Sequence, residues 1–257
     1  LKKVPNPLLS VVFVVKSTVG FVAVPQTIPL AVTCAPPSAM TFPPQVAVVG
    51  VSVPIGEVVT VADGAGRWRP CRIAAVEGDR LRLEPTGPTA VEPEARPRVA
   101  VAFAPAKGDQ PEQVVAALTE LGVDEIIPVT TTRSVVRWSG ERALRSGDRL
   151  RRIARGAAEQ SRRARLPEVH DPAPLAILQG RADLIVAGRG GVGPGSIGRP
   201  GPGGWTLVVG PEGGLDPDEV AALGPTVTLG VGPHILRAAT APVAAVGLLW
   251  AVRSAEA

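Results

Sequence analysis

The residues best suited to chemistry lie in two short segments toward the end of the chain. Gly210-Pro211-Glu212-Gly213-Gly214 follows the apolar run Thr206 to Val209, and Gly230 to Arg237 follows the run Thr226 to Leu229. Glycines at such points let backbone amides approach a ligand closely, so both loops are able to grip a small molecule with main-chain atoms. Neither loop has the G-x-G-x-x-G dinucleotide pattern or the phosphate-cradling pattern closed by Lys and Ser or Thr, which disfavours a nucleoside triphosphate. Arg237, near the start of the helix that follows, is suited to meet a phosphate or to bind carboxylates. Glu212 is suited to holding a polar ligand group, or to favouring the start of the following helix. Standing alone, Gly210 to Gly214 is as consistent with a tight strand-to-helix turn as with a binding loop.

A second concentration of chemistry is electrostatic. Between Arg133 and Arg165 there are eleven arginines against Glu141, Asp148 and Glu159, a local excess of +8 in a chain whose net charge is +4. Such a local excess is the footprint of a surface that meets phosphate, and the alternative is a solvated helix face. Arg133, Arg162, Arg163 and Arg165 are the expected phosphate contacts, which fix RNA without reading its sequence.

The elements that must hold these residues follow from periodicity. Val99 to Phe103, Pro111 to Leu121 and Glu125 to Val129 read as strand, helix and strand, the alternation of a parallel sheet covered by helices. Val114, Val115, Leu118 and Leu121 share one helix face, and Gly122 is a suitable terminator. An amphipathic helix within Gly140 to Arg163 sets Leu144, Leu150, Ile153, Ala157 and Ala158 against its arginines. Ala182 to Ala187 reads as a strand and Gly188 to Gly204 as loop. After Val209, Asp216-Pro217-Asp218-Glu219 opens a helix with a capping box. Arg237 to Val252 reads as a closing helix, apolar on all sides, to be buried in a core or against a second subunit.

Upstream the rhythm differs. Short apolar runs from Val46 to Leu83, separated by glycine turns, indicate a small β-barrel over 46–84. Residues 85–97 are rich in Pro and Glu and read as a linker to a domain over 98–257, while 1–45 form a leader to which the sequence assigns no role. Cys34, Cys71, His170 and His234 are too few for a disulfide framework or a zinc site, so no metal is expected. The apolar runs Leu8 to Val15 and Val19 to Val24 fall well short of the ~20 residues that span a membrane, and a cytoplasmic protein is expected.

Several ordered motifs together resemble one family. They are Lys107-Gly108-Asp109, Glu120 to Pro128, Arg133 to Trp138, Glu159-Gln160-Ser161-Arg162, Val209 to Gly214, Leu229-Gly230 and Ile235-Leu236-Arg237. In order and spacing they resemble the 16S rRNA uracil-N3 methyltransferases of the SPOUT class, well over Arg98 to Val252 and loosely over Gly56 to Leu83. The resemblance implies an α/β fold with a C-terminal trefoil knot, preceded by a PUA-like barrel, and a homodimer. It further implies S-adenosylmethionine (SAM) as cofactor, held by Gly210, Pro211, Glu212, Gly213, Leu229, Gly230, Ile235, Leu236 and Thr240, and methylation of a uridine in the RNA of the small ribosomal subunit, for which Arg237 is the leading catalytic candidate, as a cation near the base or its phosphate. The pattern departs at Val48 to Val53, where a basic run is usual, at His234, where Arg is common, and at Ala239, which is often Glu. Those departures keep open a non-catalytic RNA-binding or ribosome-assembly protein with the same fold.

Overall fold

The computed structural model describes residues 12–15, 31–34, 55–77 and 80–254. The chain divides into two units, residues 1–94 with 158–166, and residues 95–157 with 167–257. The expected strand over residues 46–53 lies outside the described residues.

In the first unit a six-stranded sheet runs β1 (Val12–Val15), β3 (Val58–Ala62), β4 (Arg67–Glu77), β5 (Arg80–Pro85) and β2 (Ala31–Cys34), with β6 (Ala90–Val91) paired to β4. Pairing is antiparallel except between β2 and β5. Two of its strands thus come from the stretch that carried no assignment, and β6 comes from the expected linker. Their signal was hidden because two- and four-residue strands are too short to display alternation. Val59, Cys71, Ile73, Leu81 and Leu83 form the buried side of this sheet.

The same unit takes in residues 158–166, which corrects one expectation. Helix α2 (Gly140–Ser161) ends before Arg162, Arg163 and Arg165, so these arginines are not helix-borne. Arg162 adopts φ 59°, the left-handed position that usually closes a helix as glycine, and the amide of Arg163 returns to the carbonyl of Ala158 at 2.9 Å. Arg165 then bridges to Gly64 and Ala65, and its Nε donates to the carbonyl of Glu92 at 3.0 Å. Gly66 beside it adopts φ 100°, a backbone conformation that favours glycine, and a Cβ there would stand 2.7 Å from that guanidinium.

The second unit is a parallel sheet in the order β10 (Ala173–Pro174), β8 (Glu125–Thr130), β7 (Val99–Phe103), β12 (Trp205–Val209), β11 (Leu184–Val192) and β13 (Val227–Leu229), with β9 (Glu168–Val169) against β8. Every residue of β7 and β12 is buried, as expected of central parallel strands covered on both faces. Alternation divides their side chains. Val99, Val101, Phe103, Ile126, Ile185, Leu207 and Val209 join a core with α1 (Gln110–Glu120), α2 and α4 (Thr240–Ser254). Ala102, Ile127, Val129, Leu184, Val186 and Val208 face Leu175, Leu178 and α3 (Pro217–Leu223). Val115 and Leu118 of α1 are fully buried, each stabilising the fold by roughly 1.5–3 kcal/mol. Gly122 closes α1 at φ 81°, as its place in the sequence predicts.

Three further expectations are revised. The core stripe of α2 is Ala143, Leu150, Ala154, Ala157 and Ala158, whereas Leu144, one position round the helix, is 55% exposed. The closing helix starts at Thr240 rather than Arg237, whose carbonyl accepts the amides of Thr240 and Ala241 in a turn. It buries Ala245, Val246 and Leu249 and leaves Gly247 and Ala251 exposed. Strand β11 continues through Gly188 to Val192, a stretch expected to be loop. A register shift after Ala187 and a positive φ at Gly190 bend it so that Val192 pairs with Leu229.

Candidate active site

The carboxyl ends of β11, β12 and β13 converge on one cleft of about 290 Å³. β13 follows β12 in the chain but lies on the far side of β11, and such crossings of strand order are where open parallel sheets bind ligands. Ala187, Val209, Leu215, Val231, Ile235 and Leu236 give the cleft apolar walls, and Gly188, Gly210, Gly213, Gly214 and Gly232 expose main chain to it.

Local sequence explains each wall. After β12, the amide of Gly214 donates to the carbonyl of Pro211 at 2.8 Å, a tight turn that Gly214 closes at φ 72°. The chain then enters α3 through a complete capping box. Asp216 accepts from the amide of Asp218 at 3.1 Å, and Glu219 accepts from the amide of Asp216 at 3.0 Å, as the sequence predicts. The end of β11 meets the loop after β13 through main chain. The amide of Gly230 donates to the carbonyl of Val192 at 2.9 Å, and a Cβ on Gly230 would stand 2.6 Å from the carbonyl oxygen of Gly191.

Of the residues singled out in the sequence, Gly210, Pro211, Glu212, Gly213, Ile235 and Leu236 line the cleft. Leu229 is fully buried beneath it, while Gly230 and Thr240 are not among its lining residues. Arg237 also stands outside the lining, exposed between Leu236 and Ala238, which do line it. The charged or titratable side chains at the cleft are Glu212, Arg189 and His234. Arg189 lies in Gly188 to Gly204, which the sequence reads as loop without marking any side chain; the continuation of β11 through it is what brings Arg189 to the cleft.

Arg133 and Arg165 are already engaged within the chain. Arg133 reaches the carbonyl of Gly213 at 3.0 Å and Asp216 at 3.1 Å, and Arg165 holds Glu92 and lies 3.7 Å from Glu94. At the opposite, amino end of β8, Glu125 pairs with both terminal nitrogens of Arg181 at 2.6 and 3.0 Å. Burial opposes its ionisation, but Arg181 and then His170 outweigh that and hold its carboxyl below the ordinary value. Among the described residues no cluster of three or more His, Cys, Asp or Glu is arranged to hold a metal ion, and no helix is long and apolar enough to cross a membrane.

A helix-covered parallel sheet with a glycine-edged cleft at its carboxyl ends defines the class of α/β enzymes that bind a nucleotide-like ligand with main-chain atoms. The family model described as an RNA methyltransferase domain matches residues 93–250. The ribosomal RNA small subunit methyltransferase E of Mycobacterium tuberculosis is 33% identical over 210 residues, covering 77% of this chain and 80% of that protein. The protein of the same name from Bacillus subtilis is 32% identical over 208 residues, with 76% and 81% covered. Among solved structures, the Neisseria gonorrhoeae ribosomal RNA small subunit methyltransferase E bound to SAM superposes with a TM-score of 0.70 at 29% identity, covering 78% of this chain and 85% of that one. A Legionella pneumophila methyltransferase in complex with SAM gives a TM-score of 0.70 at 26% identity, covering 77% and 84%. The chain belongs to the ribosomal RNA small subunit methyltransferase E family within the RNA methyltransferases.

Proposed function

We propose that this protein is a SAM-dependent methyltransferase that methylates N3 of one uridine in the 16S rRNA of the small ribosomal subunit. The observation that carries this reading is the cleft formed by the ends of β11, β12 and β13, in a chain whose family relatives include structures with SAM bound. Its make-up suits that cofactor: apolar walls at Ala187, Val209, Ile235 and Leu236 accept an adenine, and the glycine-rich rims offer main-chain donors and acceptors to its polar edges. Gly210, Pro211, Glu212, Gly213, Ile235 and Leu236 would contact it, with Leu229, Gly230 and Thr240 forming the backbone behind them.

SAM supplies a methyl group on a sulfonium, an already activated leaving group. The chain's own task is then to position the base and manage one proton. Uracil N3 is protonated at neutral pH, so a group beside it must accept that proton or stabilise the anion that forms. Arg237, exposed beside two lining residues, is suited to be the stabilising cation.

On the RNA side, Arg162 and Arg163 are proposed phosphate contacts, with a PUA-like barrel in the first unit as a second RNA surface. A trefoil knot through the cleft loops, a homodimer formed on the exposed side of α4 and a cytoplasmic location complete the proposal. The deciding experiment is mass-spectrometric mapping of methylated uridines in 16S rRNA from cells with and without the gene. Loss of a single N3-methyluridine is expected, and an unchanged map overturns the reading.

A further inference from the structure

The loop after β8 and the loop after β12 are fastened together by two carboxylates, each of which divides its oxygens between them. Asp216 accepts at Oδ1 from the amide of Asp218 and at Oδ2 from the Arg133 guanidinium, each at 3.1 Å. Glu219 accepts at Oε2 from the amide of Asp216, and at Oε1 from both the amide and the hydroxyl of Thr132, at 2.7 and 3.0 Å. The capping box of α3 is thereby also a lock between loops. Arg133 completes it, its Nη1 donating to the carbonyl of Gly213 at 3.0 Å, with the carbonyl of Leu215 3.5 Å away.

Gly213 and Leu215 both line the cleft, and Gly213 is one of three glycines in that wall, whose backbone has no side chain to restrict it. A guanidinium bonded to the Gly213 carbonyl fixes the adjoining peptide plane, and its second arm ties that plane to the helix cap. Burial works against the ionised form of Glu219, yet the bonds from Asp216 and Thr132 prevail and lower its pKa, so the lock is assembled with a charged carboxylate.

We infer that Arg133 is a positioning residue for the cofactor side of the cleft: by bonding Gly213 and Asp216 it holds the Gly210 to Leu215 wall in its binding shape. Resting on the SAM reading above, this assigns Arg133 an effect on cofactor affinity that is separate from RNA binding. Surface charge alone does not give that split, because a phosphate contact weakens RNA binding and leaves the cofactor untouched.

The test compares wild type, Arg133→Ala, Arg133→Lys and Thr132→Ala in three measurements: calorimetric SAM affinity, affinity for 16S rRNA, and amide hydrogen exchange of residues 212–216 without ligand. Arg133→Ala is expected to weaken SAM binding about tenfold, to leave RNA affinity within about twofold, and to speed exchange across 212–216. Arg133→Lys, which cannot span both acceptors, is expected between wild type and the alanine variant. Thr132→Ala, which removes one exposed hydrogen bond, is expected to weaken SAM binding about threefold and provides the answer should Arg133→Ala fail to fold. Unchanged SAM affinity with weakened RNA binding, or unchanged exchange, overturns the inference. Absence of SAM binding by the wild type overturns the functional reading instead, while the exchange measurement still decides whether the lock operates.

Discussion

Glu219 and Thr132 lie 87 residues apart in sequence and share two hydrogen bonds, at 2.7 and 3.0 Å, on a single carboxylate oxygen. The loops they join leave the sheet from β8 and β12, the two strands that flank β7. The join makes one wall of the cleft dependent on a carboxylate, and therefore on pH.

The sign follows from the lowered pKa of Glu219. A carboxyl held below its ordinary value of 4.5 contributes stability that is complete above that value and is lost as pH falls through the folded pKa. The stability difference between wild type and Glu219→Gln is expected to be constant from pH 8 to about 5 and to shrink below that. Urea denaturation at a series of pH values measures it, and a difference that grows toward acid contradicts the assignment.

Gly230→Ala is expected to push the loop after β13 away from the end of β11, because the new methyl would lie 2.6 Å from the Gly191 carbonyl oxygen. A loss of about 1–3 kcal/mol in denaturant stability, with SAM binding weakened at least tenfold, is the expected result. Gly195→Ala, where nothing lies within 4 Å of the added carbon, is the matched control and should bind as wild type does.

Arg181→Met removes the partner of Glu125 at the end of the sheet away from the cleft. Because the pair is partly exposed, screening limits the cost to about 1–2 kcal/mol of stability. SAM affinity should not change, and a weakened affinity would show that the two ends of the sheet are coupled.

Arg162→Gly is expected to move two quantities in opposite directions. The left-handed φ of 59° favours glycine, so stability should rise by up to about 1 kcal/mol. Loss of the cation should lower rRNA affinity and reduce the slope of log affinity against log salt by about 1. Denaturation and salt-dependent binding check the two halves separately.

What the sequence disclosed depended on range. The capping box at Asp216 and Glu219 is written within four residues, and α1 with its Gly122 stop within thirteen, so both were readable. The second destination of those same carboxylates was not, because Thr132 and Arg133 come from a distant strand end that only the sheet order brings near. Gly188 to Val192 escaped for a related reason: glycines have poor strand propensity, and what extends β11 there is pairing with Leu229. Arg237 illustrates the limit at the site. Motif order located its loop beside the cleft, but whether a side chain lines a wall depends on a turn, here the one in which its carbonyl caps the start of α4.

The Gly191 to Gly230 contact carries a wider implication. Where a strand end and a neighbouring loop touch through main chain, their spacing is set by the absence of side chains rather than by their identity. Exposed positions nearby, such as His234, are then open to drift without disturbing that contact, whereas the two glycines are not. Variation in this protein should therefore accumulate at the rim of the cleft, where it can retune which RNA is accepted, while the recess for the small ligand keeps its form.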